Sequence, residues 1–470
     1  MYQRTGAPLH VSYALPQLRA FYAKEENQHL AIKIDRWQTL STICLHRWSG
    51  KPCLQMPISY SEASWTGMFD FRSCSWDQEA LNLVETCPGV TQYDYTIEHD
   101  DDGPKDEIEL LPPLVDFDSP LPVLREGIPP CNADGGLNPY WERWPEFRSH
   151  ALSMFFGIGD GAAANVGSKC GSSDQQEREG RHIQRRIAVT IGTSAAARVC
   201  LPLSTPSLSS NLVLIPPGLF CYRVHRDTIL LGGALTDGGC VVEWARSLLN
   251  LQSPESFDAC MAQVSDIYEK RCGKRKRCDD DDDDDANTSF NDHRVTMIPF
   301  LSGERSTGYR VGAKACISNL TRGTSSNDVM YACLESVVLR LRRVLQLINE
   351  ACREFFPAAD DVKNVLIASG AALERNALWR RMLADCSSAD VIVDSDSAEE
   401  ATSRGVAILL AESLQQTGLG VPRLRYGGIT ERTLVVADET RCNVEAAERW
   451  AAAASSQETL IDAIAFTWNS

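Results

Sequence analysis

The sequence predicts an α/β protein, because apolar strands, Gly-rich turns and amphipathic helices alternate through its second half. Two β-rich runs, Ile187–Ile191 and Ala196–Cys200, flank the turn Gly192-Thr193-Ser194. A third apolar run, Val362–Ala368, meets a Gly-Ala turn that leads into another helix. Gly turns at strand ends are places where nucleotides tend to bind in α/β proteins.

Length and composition indicate an ordinary globular chain. Its 470 residues suggest about two to three domains. The formal charge of −17 argues against nucleic acid as the main partner, although seven of those charges lie in the run Asp279–Asp285. We find no apolar run of the ~18 residues that a membrane helix needs, so no membrane partner is expected.

The number and spacing of the cysteines are typical of a protein in a reducing compartment. There are 17 of them, scattered and without a Cys-x-x-Cys pair or a His cluster. The first ten residues, MYQRTGAPLH, lack the features of a targeting segment. Reduced thiols and a cytoplasmic protein are therefore expected.

The first half of the chain is predicted to contain two helices and several loops. The helices are expected at Leu15–His29 and Arg36–Ser49. Polar composition predicts surface loops at Tyr93–Glu109 and Lys169–Arg186. The segment FFGIGDGAAANVG, residues 155–167, is expected to form a Gly-rich turn.

The second half is predicted to hold further strands at 211–215 and 219–223. A Gly-rich turn, Leu231–Gly239, is expected to follow them and to lead into a helix through Trp244. The low-complexity run KRKRCDDDDDDDANTSF predicts a disordered acidic insertion at 272–290. Its KRKR is either a solvated charge run or a nuclear signal.

The clearest periodicity in the chain predicts a long helix over Met330–Ile348. Its apolar residues form one face, and the opposite face carries Arg340, Arg342 and Arg343. A shorter helix is expected around Trp379–Ala384. Both helices are expected to serve as scaffold for the strands between and before them.

Eight segments follow one another in a fixed order: TGAPLHVSYALPQLRAF, SEASWTGMFD, GIGDGAAANVG, VTIGTSAAARV, LGGALTDGG, PFLSGERSTGY, IASGAALERNALWRRMLAD and EEATSRGVAILL. Together they resemble the FGGY carbohydrate kinases, of the actin/hexokinase/heat-shock ATPase superfamily, over about residues 5–412. The resemblance implies two RNase H-like α/β domains with a cleft between them, at 1–186 and 187–415, and a C-terminal extension at 416–470. The sequence around Asp160 and Gly232 is most similar to the gluconokinase branch, and the xylulokinase and sedoheptulokinase branches are close alternatives.

The resemblance implies a phosphoryl transfer from ATP, with Mg²⁺, to a hydroxyl of a sugar or sugar acid, gluconate being favoured. Asp160 matches the family's aspartate that takes the proton from the attacking hydroxyl, with Gly161 beside it in the substrate site. Spacing alone favours Asp160 as the cap of a helix that starts at Ala162, and the resemblance reverses that preference. His10 and Ser12 fall where the family's sugar site begins, although a lone His is more often structural.

The nucleotide site implied by the resemblance lies in the second half. Its first part is the family's second phosphate loop, matched by Gly192, Thr193 and Ser194. A Gly-Thr-Ser turn can aim N–H groups and hydroxyls at phosphate oxygens, and it also makes an ordinary hairpin.

Four more residues complete this implied ATP site. Gly239 matches a glycine beside the nucleotide, and Gly370 and Ala371 match a turn against adenosine where the family usually has Gly-Gly. Asn376 is interpreted either as a ligand of the base or ribose or as a plain helix cap.

The chain also departs from the family pattern. Asn319 stands where the family prefers Gly, and the loop Gly303-Glu304-Arg305 is expected to shape the cleft without taking part in the chemistry. No Gly-x-Asp-x-Gly-Thr hairpin occurs, so the first domain is expected to be incomplete and to lack the Asp that organises Mg²⁺ in the family. The alternative is a catalytically silent relative that binds nucleotide or a protein partner. The oligomeric state is open, a homodimer being one candidate.

Overall fold

The computed structural model describes residues 1–31, 33–34, 36–49, 53, 56–87, 110–119, 121, 154–170, 184–203, 214–272, 294–355, 362–394, 401–416 and 436–469. The loop predicted at Tyr93–Glu109 and nearly all of the acidic insertion predicted at 272–290 lie outside these residues. Within them, no helix is both long enough and apolar enough to cross a membrane.

The described strands, in chain order, are β1 Ile58–Ser59, β2 Phe69–Asp70, β3 Ser75–Trp76, β4 Leu114–Val115, β5 Gln184–Ile191, β6 Ala195–Pro202, β7 Phe220–His225, β8 Thr228–Leu235, β9 Thr296–Ile298, β10 Cys316–Ser318, β11 Lys363–Ser369, β12 Asp390–Asp394 and β13 Val436–Thr440. The described α-helices are α1 Tyr2–Thr5, α2 Ala14–Ala23, α3 Gln28–Ala31, α4 Leu40–Ser49, α5 Tyr60–Ala63, α6 Gln78–Glu85, α7 Asp160–Gly167, α8 Gly239–Leu248, α9 Pro254–Cys272, α10 Ser326–Phe355, α11 Ala371–Arg375, α12 Ala377–Ser387, α13 Ala401–Gln416 and α14 Ala447–Ile464.

A seven-stranded mixed sheet in the order β13-β12-β11-β5-β6-β8-β7 organises the molecule. Strands β12, β11 and β5 run parallel, and β5, β6, β8 and β7 are antiparallel neighbours, with β8 between β6 and the edge strand β7. Both faces of the sheet are covered, since every residue of β8 is buried. The α/β fold predicted from the sequence is confirmed.

Side-chain alternation along β6 shows how the two layers of the core are built. Ala195, Ala197 and Val199 belong to the core that also contains the apolar face of α10. Ala196 and Cys200 point the other way, into a smaller core with Ala162 and Val166 of α7 and Ile408 and Leu409 of α13. The long helix α10 therefore covers one face of the sheet, and the pair α7 and α13 covers the other.

In the first half, several predicted boundaries were wrong. The helix expected at Leu15–His29 ends at Ala23, and the one expected at Arg36–Ser49 begins at Leu40. Much of the predicted Gly-rich turn at 155–167 is helix α7, because small residues let it pack closely on α13.

The surface loop predicted at Lys169–Arg186 was wrong at both of its ends. Lys169 is buried, with its Nζ 3.0 Å from the Asp394 carboxylate, which neutralises its charge inside the fold. Its last residues, from Gln184, already belong to β5. Residues 171–183 lie outside the described part of the chain.

In the second half, the predicted turn Leu231–Gly239 is strand as far as Leu235, because its apolar residues pair with β6 and β7. The described residues of the strand expected at 211–215, Leu214 and Ile215, lie in no strand. Arg340 was expected on the solvent side of the long helix and is instead buried. Its guanidinium donates to Glu458 at 2.6 Å, to Thr307 at 2.8 Å and to Glu304 at 3.3 Å.

The segment after residue 416 contributes directly to the core. Strand β13 pairs with β12, and α14 packs against α10 and α12 through the fully buried Trp450. Gln457 of α14 donates to the carbonyl oxygen of Met297 in β9 at 2.8 Å. This helix covers the side of α10 that the sequence pattern assigned to solvent, which explains the burial of Arg340.

Candidate functional site

Three of the predicted phosphate-binding residues form the turn between β5 and β6. The Gly192 N–H donates to the Ser194 carbonyl at 2.9 Å, which closes the turn. The Gly238 N–H donates to the Thr193 carbonyl at 2.9 Å, and the Gly239 N–H donates to the Gly192 carbonyl at 2.7 Å. The turn is therefore fastened by backbone bonds to the first residue of α8.

A second junction, between β11 and α11, meets the same turn. Gly370 has a φ of +89°, a conformation that side chains disfavour, and a Cβ there would lie 2.7 Å from the Ile191 carbonyl oxygen. A Cβ at Gly239 would lie 2.6 Å from the Gly192 carbonyl oxygen and 3.9 Å from Ala372 Cβ. Thr190 and Ser369, at the ends of β5 and β11, share a hydroxyl hydrogen bond of 2.7 Å.

The surroundings of this three-way junction fit phosphate groups. No heavy atom lies within 4 Å of a Cβ built at Gly192, and Thr193 and Ser194 are exposed beside it. The positive end of the α8 helix dipole lies at this turn, although the N–H groups of Gly238, Gly239 and Cys240 are already donated to the carbonyls of Gly192 and Thr193. We call Gly192, Thr193, Ser194, Gly239 and Gly370 the phosphate cradle.

Two further predicted nucleotide residues follow the cradle. Ala371 is the exposed first residue of α11, at the position where the family usually has a second glycine. Asn376 caps α12, its Oδ1 accepting from the Trp379 N–H at 3.0 Å. The side-chain oxygen of Asn376 therefore acts as a helix cap.

Asp160 opens α7 on the other side of the sheet. The helix begins at Asp160 itself and not at Ala162, and its cap residue is Gly159, whose carbonyl accepts from Ala162 and Ala163. The Asp160 side chain is exposed and accepts from the N–H of its neighbour Gly161 at 2.6 Å. The Ser61 hydroxyl accepts from the Gly159 N–H at 2.9 Å, which fixes the start of the helix.

Arg198, on β6, lies against the first turn of α7, and sequence reasoning missed it. Its Nε is 3.4 Å from the position of a Cβ on Gly161. Burial lowers the pKa of the Arg198 guanidinium, while the negative charge of Asp160 acts to raise it. The sequence feature that could have indicated this residue is the arginine in VTIGTSAAARV, which lies at an inward position of a buried strand.

His10 and Ser12 lie in the same region, held by each other and by an aromatic group. His10 Nδ1 is 2.9 Å from the Ser12 hydroxyl, and its ring meets that of Tyr309 edge-on at 5.8 Å. The Tyr13 and Tyr222 hydroxyls are 2.5 Å apart. Burial raises the pKa of these two tyrosines and of Tyr309, so they are neutral hydrogen-bonding groups near pH 7.

The predicted residues thus fall into two groups that share β6. The phosphate cradle lies at the turn that precedes β6. The second group lies farther along β6 and consists of Asp160, Gly161, His10 and Ser12 together with Arg198 and the tyrosines. We call the second group the acceptor site. In the part of the chain that the structure describes, no group of three or more His, Cys, Asp or Glu side chains could hold a metal ion.

Comparison with known proteins finds similarity to carbohydrate kinases. The model of the FGGY family of carbohydrate kinases, C-terminal domain, matches residues 187–414. A gluconokinase of Bacillus subtilis (strain 168) is 22% identical over 409 residues, which are 87% of this chain and 64% of that protein. The chain therefore spans less than two thirds of the length of this relative.

Solved structures share the fold. The crystal structure of gluconate kinase from Lactobacillus acidophilus superposes with a TM-score of 0.65 at 17% identity, covering 100% of this chain and 75% of that one. The xylulose kinase from Rhodospirillum rubrum gives 0.66 at 14% identity, with the same two coverages.

Proposed function

We propose, from the match of residues 187–414 to the C-terminal domain of the FGGY family of carbohydrate kinases, that the chain is a kinase of this kind and transfers the γ-phosphoryl group of ATP to a hydroxyl of a sugar or sugar acid. Gluconate is the favoured acceptor, and xylulose and sedoheptulose are the alternatives. The observation that carries the proposal is the state of the Asp160 carboxylate, which is exposed at the start of α7 and is not used as the helix cap. Such a carboxylate is available to a substrate hydroxyl.

The phosphate cradle would hold the triphosphate. ATP supplies the phosphoryl group when it is bound, and the chain contributes the exposed hydroxyls of Thr193 and Ser194 and the positive end of the α8 helix dipole. Any side chain at Gly239 or Gly370 would meet backbone carbonyls, so these positions keep the junction narrow. Among the described residues, no group of three or more His, Cys, Asp or Glu side chains could hold Mg²⁺.

Asp160 would act as the general base. Its carboxylate accepts the proton of the attacking hydroxyl as the oxygen forms its bond to phosphorus, a contribution of about 10²–10⁴-fold in rate. Ser61 positions this base through the Gly159 N–H, since it fixes the residue immediately before Asp160. Arg198 would place a positive charge beside the first turn of α7, on which this base lies.

The test combines calorimetric titration of ATP with a coupled assay of ADP release over gluconate, xylulose, sedoheptulose and glycerol. We expect acceptor-dependent ADP release that falls at least about 100-fold in Asp160→Asn while ATP affinity changes less than about threefold. Asp258→Asn, an exposed change on α9, is the matched control.

Activity of Asp160→Asn within about tenfold of the parent would contradict the base assignment. ATP binding without ADP release for any acceptor would favour the alternative, a relative that binds nucleotide without turnover.

A further inference from the structure

We propose that Arg198 and Arg305 together bind a carboxylate of the acceptor, so that the acceptor site selects a sugar acid over a neutral sugar. This inference rests on the proposed kinase function. It adds the chemical class of the substrate and two residues that recognise that class. The loop Gly303-Glu304-Arg305, expected to shape the cleft only, acquires a binding role through its arginine.

The Arg198 side chain lies beside Asp160, in a space that the neighbouring strand β8 leaves open. It occupies the face of β6 that carries Ala196 and Cys200 and that packs on α7. The residue opposite it on β8 is Gly232, where a Cβ would lie 3.0 Å from Arg198 Cγ. The missing side chain at Gly232 therefore leaves the space that the arginine fills.

Arg305 is presented to the same site by an anchored loop. Its neighbour Glu304 is buried, with an Oε1 that accepts from Arg340 at 3.3 Å. Ser306 is fixed to β8, its N–H donating to the Ala234 carbonyl at 3.0 Å and its hydroxyl accepting from the Ala234 N–H at 2.9 Å. Arg305 is thus held between two fixed residues.

The two guanidinium groups lack the partners that buried arginines normally have. The Arg305 Nε is buried without a hydrogen-bond partner, and in the described part of the chain no ion pair within 4.0 Å engages Arg198 or Arg305. The positive charge of Arg305 acts on Arg198, and the negative charge of Asp160 acts on it in the opposite direction. Two neighbouring positive charges at a partly buried site favour the binding of an anion.

The surroundings favour the acceptor as the source of that anion. The charge of Arg305 acts on His10, Tyr13, Tyr222 and Tyr309, all in the acceptor site. The phosphate cradle lies at Ser194, four residues before Arg198, or roughly 13 Å along an extended strand. Carboxylate oxygens accept paired hydrogen bonds from guanidinium groups, and the neutral tyrosines can bind the adjacent hydroxyls.

The experiment measures dissociation constants by calorimetry for gluconate and for glucitol, which carries CH₂OH in place of the carboxylate, and for ATP and AMP. The variants are Arg198→Met, Arg305→Gln and the charge-retaining Arg198→Lys, with Arg353→Gln, exposed on α10, as the control. We expect the parent protein to bind gluconate at least about tenfold more tightly than glucitol, and each neutral variant to lose that preference. Arg198→Lys should keep part of it, and ATP affinity should stay within about threefold.

Each other outcome overturns the inference in a distinguishable way. Loss of ATP affinity but not AMP affinity, with gluconate binding unchanged, assigns the pair to the β- or γ-phosphate instead. Binding of xylulose or glycerol without a preference for gluconate overturns the carboxylate assignment and leaves the kinase proposal standing. Binding of no acceptor at all overturns both. A cooperative thermal transition close to that of the parent excludes misfolding of a variant as the cause.

Discussion

At the scale of single residues, Asn319 shows how a departure from the family pattern is accommodated. It follows β10 with a φ of +64°, and its Nδ2 donates to the Arg294 carbonyl at 3.1 Å. Asn enters this left-handed region more readily than other residues with a side chain, and Gly enters it freely. The preference for Gly was visible in the sequence, whereas the buried pair of Lys169 and Asp394 was not, because its members are more than 220 positions apart and meet only in the folded sheet.

We expect Asn319→Ala to destabilise the protein by about 1–2 kcal/mol, because alanine has no side chain that stabilises the left-handed conformation. Asn319→Gly should stay within about 1 kcal/mol of the parent, since glycine accepts the same backbone without strain. Free energies of unfolding in urea give both values. Equal losses for the two variants would mean that the side-chain bond to Arg294, and not the backbone, sets the cost.

At the scale of elements, the crossing of α7 and α13 positions the candidate base. A Cβ at Gly405 would overlap the Ala163 carbonyl oxygen, and a Cβ at Gly167 would overlap that of Ala401. The backbones of the two helices therefore touch, and α7 carries Asp160 at its first position. The short, Gly-rich stretch GIGDGAAANVG predicted a turn because glycine is a poor helix former, and only the neighbouring helix, remote in sequence, explains why these residues are helical.

Gly405→Ala should destabilise the protein by about 2 kcal/mol, because the added methyl group forces the two helices apart. The direction of the change in unfolding free energy is informative, since a glycine-to-alanine change at a helix position without such a contact stabilises by roughly 1 kcal/mol. Ser403→Ala, on the exposed side of α13, should change stability by less than about 0.5 kcal/mol. Urea unfolding measures both, and a stabilised Gly405→Ala would contradict the close contact.

At the scale of the whole molecule, the C-terminal segment completes the core. The sequence predicted the strand-turn-strand unit around Gly192 and the long helix through Arg340, because both have strong local patterns. It did not reveal that α14 covers that helix, since a helical pattern does not say which distant element will bury its polar side. Tyr13 and Arg198 were not predicted as members of the acceptor site for the same reason, since they come from separate parts of the chain.

Trp450→Ala should cost about 3–5 kcal/mol, because this fully buried ring joins α14 to the core around α10. Trp450→Phe should cost less than half as much, since most of the ring volume remains and the indole N–H has no partner to lose. Phe466→Ala, whose side chain is 75% exposed, is the control and should be nearly neutral. A small effect of Trp450→Ala on urea unfolding would show that the segment is an appendage.

The phosphate cradle and the acceptor site differ in what they are made of, and this bears on how each can change. The cradle is built largely from backbone N–H and carbonyl groups, so replacing side chains around it leaves its shape intact unless Gly239 or Gly370 is altered. The acceptor site is built largely from side chains; Tyr13 and Tyr222 are buried in the core, whereas Arg198, Arg305 and Tyr309 are partly exposed. Directed evolution toward a new acceptor should therefore accumulate changes at positions such as Arg198, Arg305 and Tyr309, while nucleotide use stays constant.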